Sequence, residues 1–321
     1  MDQEARRRRR EQARRRVRRQ RRLVAGSAAF VTVLAAAGAV MMGGGGEAEE
    51  GPASAEPAPA PQLPRGGRRI LPDNRVVAFY GAPQDRELGI LGIGSPRKAA
   101  RRLARQARPY RRPGRPVLPA FELIATIVTR EAGEGGDYAM RQSPRTISRY
   151  LRAARAHDML LLLDVQPGLA SFESEARAMS RFLREPDVSL ALDPEWSMEP
   201  GELPGQEIGS TDAETINAVS RYLSGVVRAH DLPQKLLVVH RFTEDMIEGE
   251  ERLERHPGVA LVVNVDGFGD RPNKVAKYSQ LTRGARNRFN GFKLFYEEDV
   301  NLMDPARVLG LRPRPDLVVY E

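Results

Sequence analysis

An α/β fold with a parallel sheet is predicted by three observations: eight short aliphatic runs, helical stretches between them, and little apolar–polar alternation within the runs. The eight predicted strands are Val76–Tyr80, Phe121–Val128, Met159–Val165, Ser189–Asp193, Lys235–His240, Ala260–Asp266, Phe292–Tyr296 and Asp316–Tyr320. Eight strand–helix units over residues 75–321 match the size of a (β/α)8 TIM-like barrel. An open doubly wound sheet is the alternative, but no Gly-x-Gly-x-x-Gly follows the first strand.

The helices between the strands begin with capping signals. Three helix starts place a capping side chain before a first-turn proline: Ser95-Pro96, Ser143-Pro144 and Asp304-Pro305. Thr211 and Glu214 have capping-box spacing ahead of a long helix. Two helices end in the same tetrapeptide, Arg-Ala-His-Asp, so its histidines, His157 and His230, are predicted to be junction residues and not catalytic ones.

The N-terminus predicts a membrane attachment. Residues 1–22 contain twelve arginines and three acids, and residues 23–42 contain no charge. About twenty apolar residues span a bilayer as a helix, so residues 23–42 are predicted to be a transmembrane anchor, with a cleaved signal peptide as the alternative. The arginine-rich tail stays cytoplasmic, which places the barrel outside the membrane in a bacterial cell envelope. Residues 43–74 are rich in Gly, Ala and Pro and are predicted to be a disordered linker.

Composition excludes several function classes. The net charge of +9 comes from the N-terminal tail, because residues 23–321 carry 39 bases and 39 acids, so no nucleic-acid partner is predicted. The absence of cysteine excludes disulfides, a thiol nucleophile and a cysteine-based zinc site. The absence of Gly-x-Ser-x-Gly excludes the serine nucleophile elbow. No cofactor is predicted.

Polar side chains follow the predicted strands, at the end where barrel enzymes place their active sites. Asp193 and Glu195 stand at i and i+2 at the end of the fourth strand, so strand alternation predicts both on one side. Trp196, the only tryptophan, is a candidate platform for a sugar ring. The other candidates at strand ends are the acids Asp266 and Glu297 and the ligand-binding residues Tyr80, Asp164, His240, Arg241 and Tyr296.

At Asp193 and Glu195 the chain resembles the glycoside-hydrolase class of barrels, in particular the chitinase-like and lysozyme-type muramidase families, whose fourth strand ends in Asp-x-Glu. The resemblance implies an enzyme that cuts a polysaccharide, with Glu195 as acid/base and Asp193, Asp266 or Glu297 as its partner. Two carboxyl groups in different protonation states are what hydrolysis of a glycosidic bond requires. The first two acids of the chitinase-like pattern Asp-x-x-Asp-x-Asp-x-Glu are absent, replaced by Val188 and Ala191, which removes the chitinase assignment itself.

Two other functions remain open from the sequence. If Asp193 pairs with Arg241 or Lys293, the barrel is a non-catalytic module that binds a surface polymer or a protein. If the strand-end groups converge on a divalent ion, the protein is a metal-dependent hydrolase. The candidate ligands are Asp164, Asp193, Glu195, His240 and Asp266. Glu122 lies inside the apolar second strand, where a buried acid needs a partner.

Overall fold

Eight parallel strands form a closed barrel in the computed structural model, which describes residues 60–133 and 135–321. Each strand pairs with the next along the chain, and the eighth pairs with the first. The predicted TIM-like barrel is therefore confirmed. The strands are β1 (Arg75–Gly81), β2 (Val117–Val128), β3 (Leu160–Val165), β4 (Val188–Leu192), β5 (Lys235–Arg241), β6 (Val259–Val265), β7 (Phe289–Leu294) and β8 (Leu317–Tyr320).

The helices begin where the capping signals predict. Ser95, Ser143 and Asp304 each accept a hydrogen bond from a backbone N–H three residues on. In the capping-box segment Asp212, and not Thr211, is the cap, and it accepts from the N–H of Thr215. The helices are α1 (Pro96–Ala107), α2 (Pro144–Arg155), α3 (Phe172–Ala178), α4 (Ser180–Leu183), α5 (Ala213–Ala229), α6 (Arg271–Thr282) and α7 (Pro305–Gly310). Between β5 and β6 the described chain forms only 3-10 turns and a two-residue strand.

Alternate residues of each strand enter two apolar layers. Val76 and Ala78 of β1 pack inside the barrel, whereas Val77 and Phe79 pack outside it, against the helices. Because both faces are buried, the strands read as nearly continuous apolar runs. β7 begins at Phe289, three residues before the predicted start at Phe292. The first residues were not recognised in the sequence because Gly291 interrupts the apolar pattern. A Cβ at Gly291 would meet Asn264 of β6 within 3.0 Å, so the glycine allows the two strands to approach.

The bottom of the barrel is closed by the chain that precedes β1. Leu63, Ile70 and Leu71 are buried in the same apolar cluster as the barrel interior. The backbone N–H groups of Ile70 and Leu71 donate to Oε1 of Gln234 at 2.8 and 2.9 Å. Residues 60–74, which we call the bottom plug, thus pack against the barrel interior. The few apolar side chains of this segment were obscured by the neighbouring Pro- and Gly-rich composition.

The remaining predictions for the N-terminus, the arginine-rich tail, the transmembrane helix and the linker from residue 43 to residue 59, lie outside the described residues. Within residues 60–133 and 135–321, none of the helices has the length and apolar character required to span a bilayer.

The repeated tetrapeptide forms the same turn in both places. Asp158 and Asp231, its last residues, have φ of 52° and 45°, and each turn leads from a helix into a barrel strand. The bottom plug contacts both turns, because Arg65 donates to the carbonyl of Asp158 and Arg68 donates to Oδ1 of Asp231 at 2.7 Å. The repeated tetrapeptide therefore forms helix-to-strand turns at the bottom of the barrel and contacts the bottom plug.

Candidate active site at the barrel mouth

Every barrel strand contributes an inward-facing polar side chain to the mouth of the barrel, at or next to its C-terminal end except in β2, which continues beyond Glu122 to Val128. These residues continue the alternation of the interior apolar positions, such as Ala78, Leu162 and Val238, two residues further along each strand. We call the set the mouth cluster, and its members are Tyr80, Glu122, Asp164, Asp193, His240, Asn264, Asp266, Lys293 and Glu321. Almost all of their side chains are shielded from solvent. Five carboxyl groups and two bases therefore meet in a buried environment.

His240 is at the centre of the mouth cluster. Its Nε2 lies 2.8 Å from Oε1 of Glu122, and its Nδ1 lies 3.2 Å from Oδ2 of Asp266. Nδ2 of Asn264 is 3.3 Å from the same Nδ1. His240 is only 1% exposed and Glu122 is fully buried. The partner that the sequence required for Glu122 is therefore His240, on a strand that is not its neighbour.

Lys293 organises the other half of the mouth cluster. Its Nζ lies 3.1 Å from Oδ2 of Asp266 and 2.8 Å from Oε2 of Glu321. The ammonium also stands 3.8 Å from the centroid of the Tyr80 ring, a cation–π distance. The Tyr80 hydroxyl donates to Oδ2 of Asp164 at 3.1 Å. Asp266 thus bridges the histidine and the lysine.

Burial and crowding shift the protonation of these groups. Burial raises the pKa of Asp164 well above its ordinary value, and the charge of Asp193 raises this pKa further. Burial by itself lowers the pKa of His240, but the charge of Glu122 and hydrogen bonds to Asp266 and Glu122 outweigh it and hold this pKa well above its usual range. Burial, followed by the charge of Asp164, raises the pKa of Tyr80. The site therefore holds protonated and ionised groups side by side.

Three buried polar atoms of the mouth cluster have no hydrogen-bond partner within the described part of the chain. They are Oε2 of Glu122, Oδ1 of Asp164 and Oδ1 of Asn264. Such atoms are rare in native proteins, because each one loses its hydration without compensation. Glu122, Asp164 and His240 also offer three ligand atoms that all lie within 4.8 Å of one another. The arrangement has the capacity to bind a cation or a polar substrate group.

Five sequence candidates meet in the mouth cluster: Tyr80, Asp164, Asp193, His240 and Asp266. Glu122, Asn264 and Glu321 also belong to the mouth cluster although they were not predicted site residues, and Lys293 was expected only as an ion-pair partner. These residues are recognised by their position on the inward face of the barrel strands. Each stands on the inward face of a largely apolar strand: Asn264 and Glu321 follow the interior residues Val262 and Val319 by two positions, whereas Glu122 lies between the interior residues Ala120 and Ile124.

Glu195 and Trp196 differ from the expectation. β4 ends at Leu192, and residues 194–196 form one turn of 3-10 helix, so strand alternation does not relate Glu195 to Asp193. The turn is fixed by the backbone, since the carbonyl of Glu195 accepts from Gly209 and that of Trp196 accepts from Gly168. Both side chains are buried, at 5% and 4% exposure. Trp196 is thus an interior residue and not an open platform.

Three further candidates lie apart from the mouth cluster. Arg241 follows His240 and therefore faces outward, where it pairs with Glu250. Tyr296 lies beyond the end of β7 and stacks on Tyr320 under α1, with ring centroids 5.3 Å apart. Glu297 is 60% exposed, and its Oε1 lies 3.7 Å from Nη2 of Arg86.

Comparison with known proteins identifies no family for this chain. No protein-family model matches this chain, and no curated protein matches it at a significant level. The resemblance to glycoside hydrolases therefore rests on Asp193, Glu195 and the barrel itself, and fold alone does not carry function. The chain is a TIM-like barrel with a buried, acidic mouth.

Proposed function

We propose that this protein is a hydrolase that cleaves a glycosidic bond of a cell-envelope or environmental polysaccharide at the mouth of the barrel. The observation that carries the proposal is the convergence of polar side chains from all eight strands. Burying five carboxyl groups beside two bases is unfavourable for folding, so such a concentration indicates a functional site. Its place at the C-terminal ends of the strands is where barrel enzymes carry out their chemistry.

The roles follow the two-carboxyl scheme of glycoside hydrolysis. Glu195 donates a proton to the leaving glycosidic oxygen, and Asp193 is the carboxylate that activates water or attacks the sugar. Asp193 acts electrostatically on Asp164 and Tyr80, which supports a position at the top of the barrel interior. The turn that carries Glu195 is held by two neighbouring loops, and a fixed backbone favours precise placement of a catalytic group.

The test is hydrolysis of a glycan panel that includes peptidoglycan, chitin, and α- and β-glucans. We expect Glu195→Gln and Asp193→Asn each to lower the rate by at least about 100-fold, because each removes a proton-transfer or charge-stabilising group. The matched control is Glu207→Gln, the same chemical change at an exposed position on the same β4–α5 connection, and it leaves the rate unchanged.

Two outcomes contradict the proposal. If no glycan is cut but one is bound equally by the wild type and Glu195→Gln, the barrel is a binding module. If a glycan is cut at the same rate by both variants, the catalytic groups lie elsewhere.

A further inference from the structure

We propose that Glu122, Asp164 and His240 form a binding site for one first-row divalent cation of the Zn²⁺ or Mn²⁺ type. Glu122 lies in the middle of β2, and Asp164 and His240 lie at the C-terminal ends of β3 and β5. Their ligand atoms lie within 4.8 Å of one another. These three ligands lie in the same mouth cluster as Asp193 but are different residues from the catalytic pair, and the inference does not depend on the proposed function.

The spacing of the three groups suits ligands around a common ion. Nε2 of His240 is 2.8 Å from Oε1 of Glu122 and 3.8 Å from Oδ1 of Asp164. Ligands that each stand about 2.1 Å from a tetrahedral or octahedral ion are separated by about 3.0–3.4 Å. These two separations lie within 0.4 Å of that range, and all three ligand atoms stay within 4.8 Å of one another, so modest side-chain shifts bring them around an ion.

Two buried carboxylate oxygens at the site support cation binding. Oε2 of Glu122 and Oδ1 of Asp164 are buried and have no hydrogen-bond partner among the described residues. Both side chains are fully shielded from solvent, so water on the protein surface does not compensate them. A cation between the two carboxylates satisfies both oxygens and offsets the excess of acids over bases in the mouth cluster.

His240 is oriented as a metal ligand is. Its Nδ1 lies 3.2 Å from Oδ2 of Asp266, and Asp266 is itself held by Lys293 at 3.1 Å. A carboxylate on Nδ1 fixes the ring and directs Nε2 toward Glu122 and Asp164, which is the arrangement that commonly supports a metal-bound histidine. One imidazole with two carboxylates favours Zn²⁺ or Mn²⁺ over Ca²⁺ and Mg²⁺, which prefer oxygen ligands alone.

The test measures metal binding directly on the full chain, purified in detergent and stripped with EDTA. Calorimetric titration with ZnCl₂ and with MnCl₂ is expected to give one bound ion per chain with a Kd below about 1 μM for at least one of them. Bound metal counted by mass spectrometry after dialysis is expected to agree. The melting temperature is expected to rise by several degrees with the ion and to remain unchanged with Ca²⁺.

The variants locate the site. Asp164→Asn keeps an acceptor for the Tyr80 hydroxyl and is expected to weaken binding by more than about 100-fold, whereas Asp266→Asn weakens it by about 10–100-fold. The matched control pairs two histidines that each stand beside a carboxylate. His240→Gln is expected to abolish binding, and His256→Gln, 3.4 Å from Glu254 and outside the mouth cluster, is expected to leave it unchanged.

The proposal is overturned if neither ion binds the wild type with a Kd below about 100 μM. It is also overturned if binding survives Asp164→Asn or is lost in His256→Gln. Should His240→Gln fail to fold, the wild-type stoichiometry and Asp164→Asn decide the matter. Loss of glycan cleavage has no bearing on these readouts, so the two proposals fail separately.

Discussion

The two ends of the barrel interior differ in how their buried polar groups are satisfied. At the bottom, Leu63, Ile70 and Leu71 cover the opening with apolar side chains. The buried cations at this end are satisfied by backbone: Lys235 donates to the carbonyl of Val188 at 2.6 Å, and Arg75 makes two such bonds. No buried side-chain nitrogen of Lys235 or Arg75 is without a hydrogen-bond partner among the described residues.

At the mouth, several buried carboxyl groups lie close to one another. Glu122, Asp164 and Asn264 each have a buried oxygen with no hydrogen-bond partner in residues 60–133 and 135–321, and Asp193 opposes the ionisation of Asp164. The same division is found in TIM-barrel enzymes, where the bottom face stabilises the fold and the mouth carries the active site, and it supports the proposed site at the mouth. Changes at the bottom are therefore expected to alter folding alone. Changes at the mouth are expected to alter binding and to leave folding intact or improve it.

Removal of the bottom plug is expected to have the largest effect. A chain that begins at residue 73 lacks Leu63, Ile70 and Leu71, and burial of three such side chains stabilises the fold by about 5–9 kcal/mol. Urea denaturation, compared with a chain that begins at residue 60, is expected to show a correspondingly lower free energy of unfolding or no folded state. Equal urea midpoints for the two chains would show that residues 60–72 do not seal the barrel.

The buried lysine at the bottom predicts a pH dependence. Burial lowers the pKa of Lys235 from its ordinary value of 10.5 to about 7. Between these values the unfolded chain carries a proton on Lys235 that the folded chain lacks, so a rise in pH disfavours unfolding. The free energy of unfolding is expected to rise by about 3 kcal/mol between pH 7 and 9.5 through this residue.

The difference between variants isolates that contribution. Lys235→Met is expected to flatten the rise, and Lys98→Met, at an exposed position of α1, is expected to keep it. A wild-type slope that both variants share would assign the pH dependence to other groups.

Neutralisation of an acid at the mouth is expected to stabilise the metal-free protein. Asp164→Asn keeps the hydrogen bond from Tyr80 and removes a fully buried carboxyl group beside Asp193. We expect the free energy of unfolding to increase by about 1–3 kcal/mol at neutral pH, as measured by urea denaturation in EDTA. A decrease of that size would mean that Asp164 serves the fold, and the contrast between the two ends would not hold.

The smallest expected effect concerns the repeated turn. Asp158 has φ of 52°, a conformation that glycine adopts without strain, so Asp158→Gly is expected to stabilise the fold by about 0.5 kcal/mol. Asp231→Gly is expected to gain less, because it also loses the 2.7 Å bond from Arg68. Thermal denaturation of both variants is the measurement. A larger gain at Asp231 would show that Arg68 does not hold the plug to this turn.

Much of the fold is predictable from local patterns. The eight strands were visible because strands buried on both faces are apolar throughout, and three helix starts were visible because Ser or Asp stands before Pro. Strand ends were less certain. The continuation from Leu192 into Asp193 and Glu195 looks extended in sequence, but Pro194 opens a 3-10 turn and ends the alternation.

The sequence by itself determined the barrel, its helix starts and the polar character of its strand ends, because these depend on the local length and polarity of each segment. Only the tertiary structure decided which polar residues meet. Closure of the barrel brings Glu122 of β2 to His240 of β5, two strands that do not pair with each other. It also turns Arg241, one residue on, away from the interior. Which side chains meet in the interior depends on closure of the barrel and on which alternate residues of each strand face inward, and no local sequence pattern specifies either.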